Sequence, residues 1–239
     1  MTQQLEANRL RTQTEALQND RHESRVFVEL RTDSAKRLVT GRPSGDGKAA
    51  IIGLLGFADR LRVIWDAAKR GDPYARWWLL KVEASTAKAR NFVQAQRASV
   101  RKTLSVFKSL RIDLSRGAKP WRVELVFACP YAYHGAQLVR QVDALITELD
   151  TSVQIGARRK ADTSKTQRNA ERVLRRTFSS SQGYWDFGVT RELIQQRAPK
   201  AVDAEAKMGV IPDEVLNGNC WPRLLDRKDQ SVTEGNTGE

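Results

Sequence analysis

From Tyr74 to Arg111 the chain contains neither glycine nor proline, and Trp78, Val82, Ala89, Phe92, Val100, Leu104 and Phe107 recur within it as one apolar stripe at helical spacing. The stretch predicts a long helix buried along that stripe, and with it a mostly helical protein. Its remaining surface is basic. Between Glu83 and Asp113 stand Lys88, Arg90, Arg97, Arg101, Lys102, Lys108 and Arg111, with no acid among them. Like charges so placed repel unless something anionic lies alongside, whereas a solvated face in ordinary salt tolerates them at modest cost. Both readings stay open at this point.

Upstream, Arg25, Phe27, Glu29 and Arg31 alternate with Val26, Val28 and Leu30, the pattern of a half-buried strand over 25–31. Thr32 or Asp33 then caps a short helix, 33–40, and "TGRPSGDG" breaks it. Ile51, Leu55, Ala58, Leu61, Trp65 and Ala68 predict the buried face of a helix from Lys48 to Lys69, ended by Gly71 and Pro73. A second strand is expected over 122–128, where Val123, Leu125 and Phe127 share one face and Arg122, Glu124 and Val126 the other. Helices follow from about Gly135 to Asp150, from Thr163 or Ser164 onward, and over 199–209; the middle one carries Lys165, Arg168, Arg172 and Arg176 on one side. Residues 1–23 read as a polar, flexible N-terminal arm and 226–239 as a disordered tail, which leaves a single helical domain over 24–225 with two short strands. The fold class expected is α+β, mostly helical.

Charge narrows the partners. A formal net charge of +13 and a sequence pI near 10.1 favour polyanions, nucleic acid first, although a basic protein can also be merely soluble or ribosome-associated. Cys129 and Cys220 lie far apart, and the two histidines, His22 and His134, supply neither a metal centre nor a triad. No metal, cofactor or small-molecule ligand is therefore expected. The N-terminus lacks an apolar core segment and no run of about 18 apolar residues occurs, so a cytoplasmic protein without a membrane association is expected. "GRPSGDGKAA" invites comparison with a phosphate-binding loop, but the spacing fails: Asp46 stands where the second glycine belongs, and Ala49 follows Lys48 in place of Ser or Thr. Carboxylates are dispersed, and nothing argues for an enzyme. The tryptophans, Trp65, Trp77 and Trp78 among them, fit helix packing, with stacking on unpaired bases as the alternative.

Phe27 among charges on the outward face of a strand is the sharper signal. A two-stranded antiparallel ribbon enters the DNA major groove, and alternate side chains on its outer face reach base edges. Strand 25–31, helix 33–40, the loop and helix 48–69 follow the order of ribbon-helix-helix proteins, which build the ribbon from two chains. The alternative is an edge strand of an α+β sheet that pairs with 122–128.

The stretches "LRTDSAKRLVTGR", "IIGLLGFADRLRVIWDAAKRGDPYARWWLL", "VELVFACPYAYHGAQLV" and "GVTRELI…MGVIPDEVL" together resemble the AcaB-like family of integrating conjugative elements and conjugative plasmids, over about residues 25 to 225. The resemblance implies transcriptional control of conjugation genes through a ribbon-helix-helix-like element, and hence a DNA-binding homodimer in the cytoplasm, associated with the nucleoid. On that basis Arg25 and Arg31 would read bases, Phe27 would contact a thymine methyl and Glu29 would accept from cytosine. If the second strand is the ribbon instead, Arg122, Glu124 and Val126 take that place. Lys48, Arg97, Arg101, Lys102, Arg158, Arg159, Lys160, Lys165, Arg168 and Arg172 would hold phosphates. A non-sequence-specific accessory of conjugative DNA processing is the alternative, and a nuclease the weaker third.

Overall fold

The computed structural model describes residues 26–45, 47, 49–107 and 120–227. Arg25, Lys48, the N-terminal arm and the tail beyond Arg227 lie outside the described residues. The elements run β1 (Val26–Leu30), α1 (Asp33–Thr40), α2 (Leu54–Lys69), α3 (Pro73–Leu104) with a closing 3-10 turn (Ser105–Phe107), β2 (Trp121–Leu125), α4 (Pro130–Gln154), α5 (Lys160–Ser179), α6 (Arg191–Gln195), α7 (Pro199–Met208) and α8 (Asp213–Leu216).

The long helix forms where its apolar stripe requires. Pro73 occupies the first turn, where a missing N–H costs nothing, and Asp72 caps it by accepting from the amides of Tyr74 at 2.7 Å and Ala75 at 3.2 Å. The second oxygen of Asp72 accepts from the Tyr184 hydroxyl at 2.8 Å, which ties the helix start to the chain after α5. Trp78, Val82, Ala89, Val93 and Val100 are buried against α4 and α5. Trp78 also donates its indole N–H to the Gln182 carbonyl, and Trp77 sits under the Lys81 ammonium, so both tryptophans pack within the protein.

The two strands pair with each other, antiparallel, with Val28 opposite Val123 and Glu29 opposite Arg122. This is the in-chain pairing that the sequence offered as the alternative to a ribbon built from two chains. Val28, Leu30 and Leu125 are all buried, Leu30 completely, so each strand needs the same helical floor and covering it together leaves less apolar edge in water. The strands are shorter than the alternation suggested. Val126 stands in solvent beyond β2, and the amide of Phe127 is held by the Tyr133 hydroxyl at 3.1 Å.

The β1–α1 junction rests on one buried carboxylate. Asp143, on α4, is 1% exposed and accepts from the amides of Arg31 and Thr32 and from the Thr32 hydroxyl at 2.8–3.1 Å. Four such bonds compensate the loss of water around the charge. Thr32 in turn accepts from the Ala35 amide, which starts α1.

Helix α2 begins at Leu54 and not at Lys48, because Arg42 and Ile51 exchange both backbone hydrogen bonds at 2.8 Å and commit the Ile51 backbone to an antiparallel bridge. The apolar face is rotated accordingly: Leu54, Phe57, Leu61 and Ile64 are buried and Leu55 is exposed. Where this loop closes, Gly53 lies against the end of α1, and a Cβ there would approach the Val39 carbonyl oxygen to 2.5 Å. Gly53→Ala is expected to destabilise the fold by about 1–2 kcal/mol, because that oxygen and the Gly41 nitrogen beside it are backbone atoms and cannot rotate away. A urea midpoint unchanged from wild type would show that the loop opens without cost. Pro130 starts α4 five residues before the expected Gly135, and α5 starts at Lys160, just before the expected Thr163.

Candidate nucleic-acid interface

The outward face of the ribbon presents Phe27, Glu29, Arg122 and Glu124. The Arg122 guanidinium lies 4.1 Å above the Phe27 ring and 4.0 Å from the Glu29 carboxylate. Phe27 among charges is thus a platform for a cation, an arrangement that holds an otherwise mobile arginine on the ribbon surface. Two acids face one arginine here, so attraction for phosphate is weak and any affinity of this face for DNA must come from base edges.

Arg31 lies past the end of β1, and its exposed side chain belongs to a different surface. With Thr32, Ser34 and Arg37 from the start of α1, Asp150 from α4, and Lys160, Ser164 and Gln167 from α5, it lines a cleft of about 560 Å³. Gln167 donates to the Ser34 hydroxyl at 3.0 Å, as does Arg37 at 3.3 Å, so α1 and α5 are joined across the cleft floor. Burial raises the Asp150 carboxyl above its ordinary value, opposed by Lys160. Arg37 and Gln167 escaped sequence reasoning: an arginine in a short helix and a glutamine among basic residues carry no distinguishing pattern.

A row of basic residues runs along α5. Lys165, Arg168, Arg172 and Arg176 are exposed on one side of the helix, and none of them has an acidic partner among the described residues. Arg175 is held by Glu171 at 3.1 Å. Arg168, Arg172, Arg175 and Arg176 surround a shallow depression of about 320 Å³. At 1.5 Å rise per residue, Lys165 to Arg176 spans about 16 Å, the axial rise of about five base pairs.

The other basic residues singled out in the sequence are engaged to different degrees. Arg97 makes a two-pronged contact with Glu148 of α4, at 2.7 and 3.2 Å, and Arg101 reaches the same carboxylate at 3.0 Å. Glu148 is 5% exposed, so these arginines join α3 to α4 and compensate a buried charge. Arg158 donates to the hydroxyls of Ser99 and Thr103, and Arg159 pairs with Asp162 at 2.9 Å. Lys102 and Lys160 are exposed. The structure thus sets Arg31 and Lys160 on the cleft, keeps Lys165, Arg168 and Arg172 exposed along one side of α5, and places Arg97, Arg101 and Arg158 in another group at the α3–α4 contact. No group of three or more His, Cys, Asp or Glu residues among the described residues could hold a metal ion, and no described helix is long and apolar enough to cross a membrane.

The family model of the transcriptional regulator AcaB matches residues 21–227 of the chain. The crystal structure of selenomethionine-containing AcaB from uropathogenic E. coli is similar in fold, with a TM-score of 0.57 over 82% of this chain and 95% of that one, at 11% identity. No curated protein matches the chain.

Proposed function

We propose that this chain, which belongs to the AcaB family of transcriptional regulators, controls conjugative-transfer genes of a mobile element by gripping double-stranded DNA with the exposed basic side of α5. In this reading the in-chain ribbon lies in the major groove, with Arg122 on a guanine and Glu29 or Glu124 accepting from cytosine. Arg31, Arg37 and Lys160 continue the phosphate grip to the foot of the ribbon. The observation that carries the reading is the row Lys165, Arg168, Arg172 and Arg176, exposed along one side of α5 without an acidic partner among the described residues. One chain supplies a whole ribbon, so a homodimer serves here to set two ribbons on two half-sites about one helical turn apart. The protein then acts on nucleoid DNA in the cytoplasm.

The test compares a preferred site, selected from random DNA, with an unselected duplex of equal length. Arg122→Ala is expected to lose about 1–2 kcal/mol on the preferred site and little on the other, since a bidentate arginine–guanine contact discriminates among bases. The nearly neutral outer face of the ribbon favours one second reading, a DNA-processing accessory without sequence preference. Equal losses on both duplexes select it.

A further inference from the structure

We infer that a separate pocket between the middle of α3, the start of α4 and the segment after α8 binds a small organic anion, its carboxylate or phosphate head held between Arg90 and Arg223. The pocket has a volume of about 370 Å³, with Leu80, Ala84 and Ala87 as an apolar wall, and falls within the range of about 300–1,000 Å³ usual for small-ligand sites. It lies near His134, about 24 Å along α4 from the Asp150 end that forms the basic cleft. The inference is independent of the DNA reading.

The charge arrangement carries the argument. Glu83 is the acid of this pocket, and its Oε1 already accepts from the Tyr131 hydroxyl and, at 2.7 Å, from the backbone amide of Arg223. The Tyr131 oxygen accepts from the Leu224 amide at 3.1 Å, which fixes the C-terminal segment over the pocket edge. The guanidiniums of Arg90 and Arg223 have no hydrogen-bond or ion-pair partner among the described residues, although both line the same concavity. By contrast, the exposed Arg70 closes on Asp186 at 2.6 Å. Two convergent guanidiniums whose local acid is occupied suit an oxyanion head, and the alanine wall leaves room for a short apolar body.

His134 reports on occupancy. Burial, with Arg90 and Arg223 adding to it and Glu83 opposing, holds its imidazole below the ordinary histidine value. The Tyr131 ring meets it edge-on at 6.1 Å. An anion between the arginines offsets their charge and raises that value, so binding tightens as pH falls through it.

The experiment follows the imidazole carbon-bound proton resonances of the full chain, which has two histidines, His22 and His134. Inorganic phosphate in one arm and butyrate in the other replace chloride at constant ionic strength, with His134→Gln used for assignment. A saturable shift of the His134 resonance is expected in at least one arm. Arg90→Gln and Arg223→Gln should each weaken it about tenfold, while Lys200→Gln leaves it unchanged. A response to phosphate alone identifies a phosphoryl head, and one to butyrate a carboxylate. The proposal is overturned if His134 stays at its chloride position in both arms, or if the shift survives both arginine replacements.

Discussion

Replacing Arg168, Arg172 and Arg176 together by alanine is expected to weaken binding to any duplex about 100-fold at about 0.15 M salt, and to lower the slope of log affinity against log salt by about 2.7 units. Each phosphate neutralised on B-form DNA releases about 0.9 of a counterion, so three lost contacts fix the size of the change. Arg175 is left in place because its guanidinium is bound to Glu171. Alanine is the strongest helix former, and the buried face of α5, with Ala170, Leu174 and Phe178, is untouched, so the helix persists. Phosphates carry no sequence information, and the ratio of preferred to random affinity should barely move. Fluorescence anisotropy over a salt series reads both quantities. A variant with the wild-type slope and an intact helical spectrum removes α5 from the interface, whatever the ribbon does.

The contrast between α5 and the long helix shows where sequence reasoning reaches and where it stops. The stripe from Trp78 to Val100 and the alternation around Val28 are local patterns, and both elements formed where those patterns stood. The basic run after Glu83 looked equally plain, since no acid lies within it. Two of its arginines, Arg97 and Arg101, are compensated by Glu148 on a different helix, and nothing near Arg97 in the chain announces that partner. The pairing of β1 with β2 is long-range in the same way: each strand shows one apolar face, but the shared floor over α4 appears only when the helices pack. The start of α2 was misread because Ile51 looks like the first turn of an apolar helical face, whereas its backbone is committed to Arg42. Thus the elements were legible, and so was the basic side of α5. The sorting of arginines into those that hold the protein together and those left for a partner was not.

Asp143→Ala is expected to cost about 3–4 kcal/mol, because the substitution strands three donors at once: the amides of Arg31 and Thr32 and the Thr32 hydroxyl. Two of the three are backbone groups that cannot turn toward water without pulling β1 off α4, where Leu30 is fully buried. For a domain of this size the loss corresponds to a fall in Tm of about 10 °C. Asp143→Asn separates charge from shape. It keeps one accepting oxygen but turns an NH2 toward donors, and an intermediate loss of about 1–2 kcal/mol is expected. Hydrogen exchange then tells whether the damage is local: amides at Arg31 and Thr32 should exchange faster in the Asn variant while those of Val82 and Ala89 on α3 keep wild-type protection. If both regions lose protection together, Asp143 supports the whole helical core rather than the junction. If neither does, the carboxylate is not what holds Arg31 and Thr32, and Arg31 and Arg37 reach the cleft by some other support.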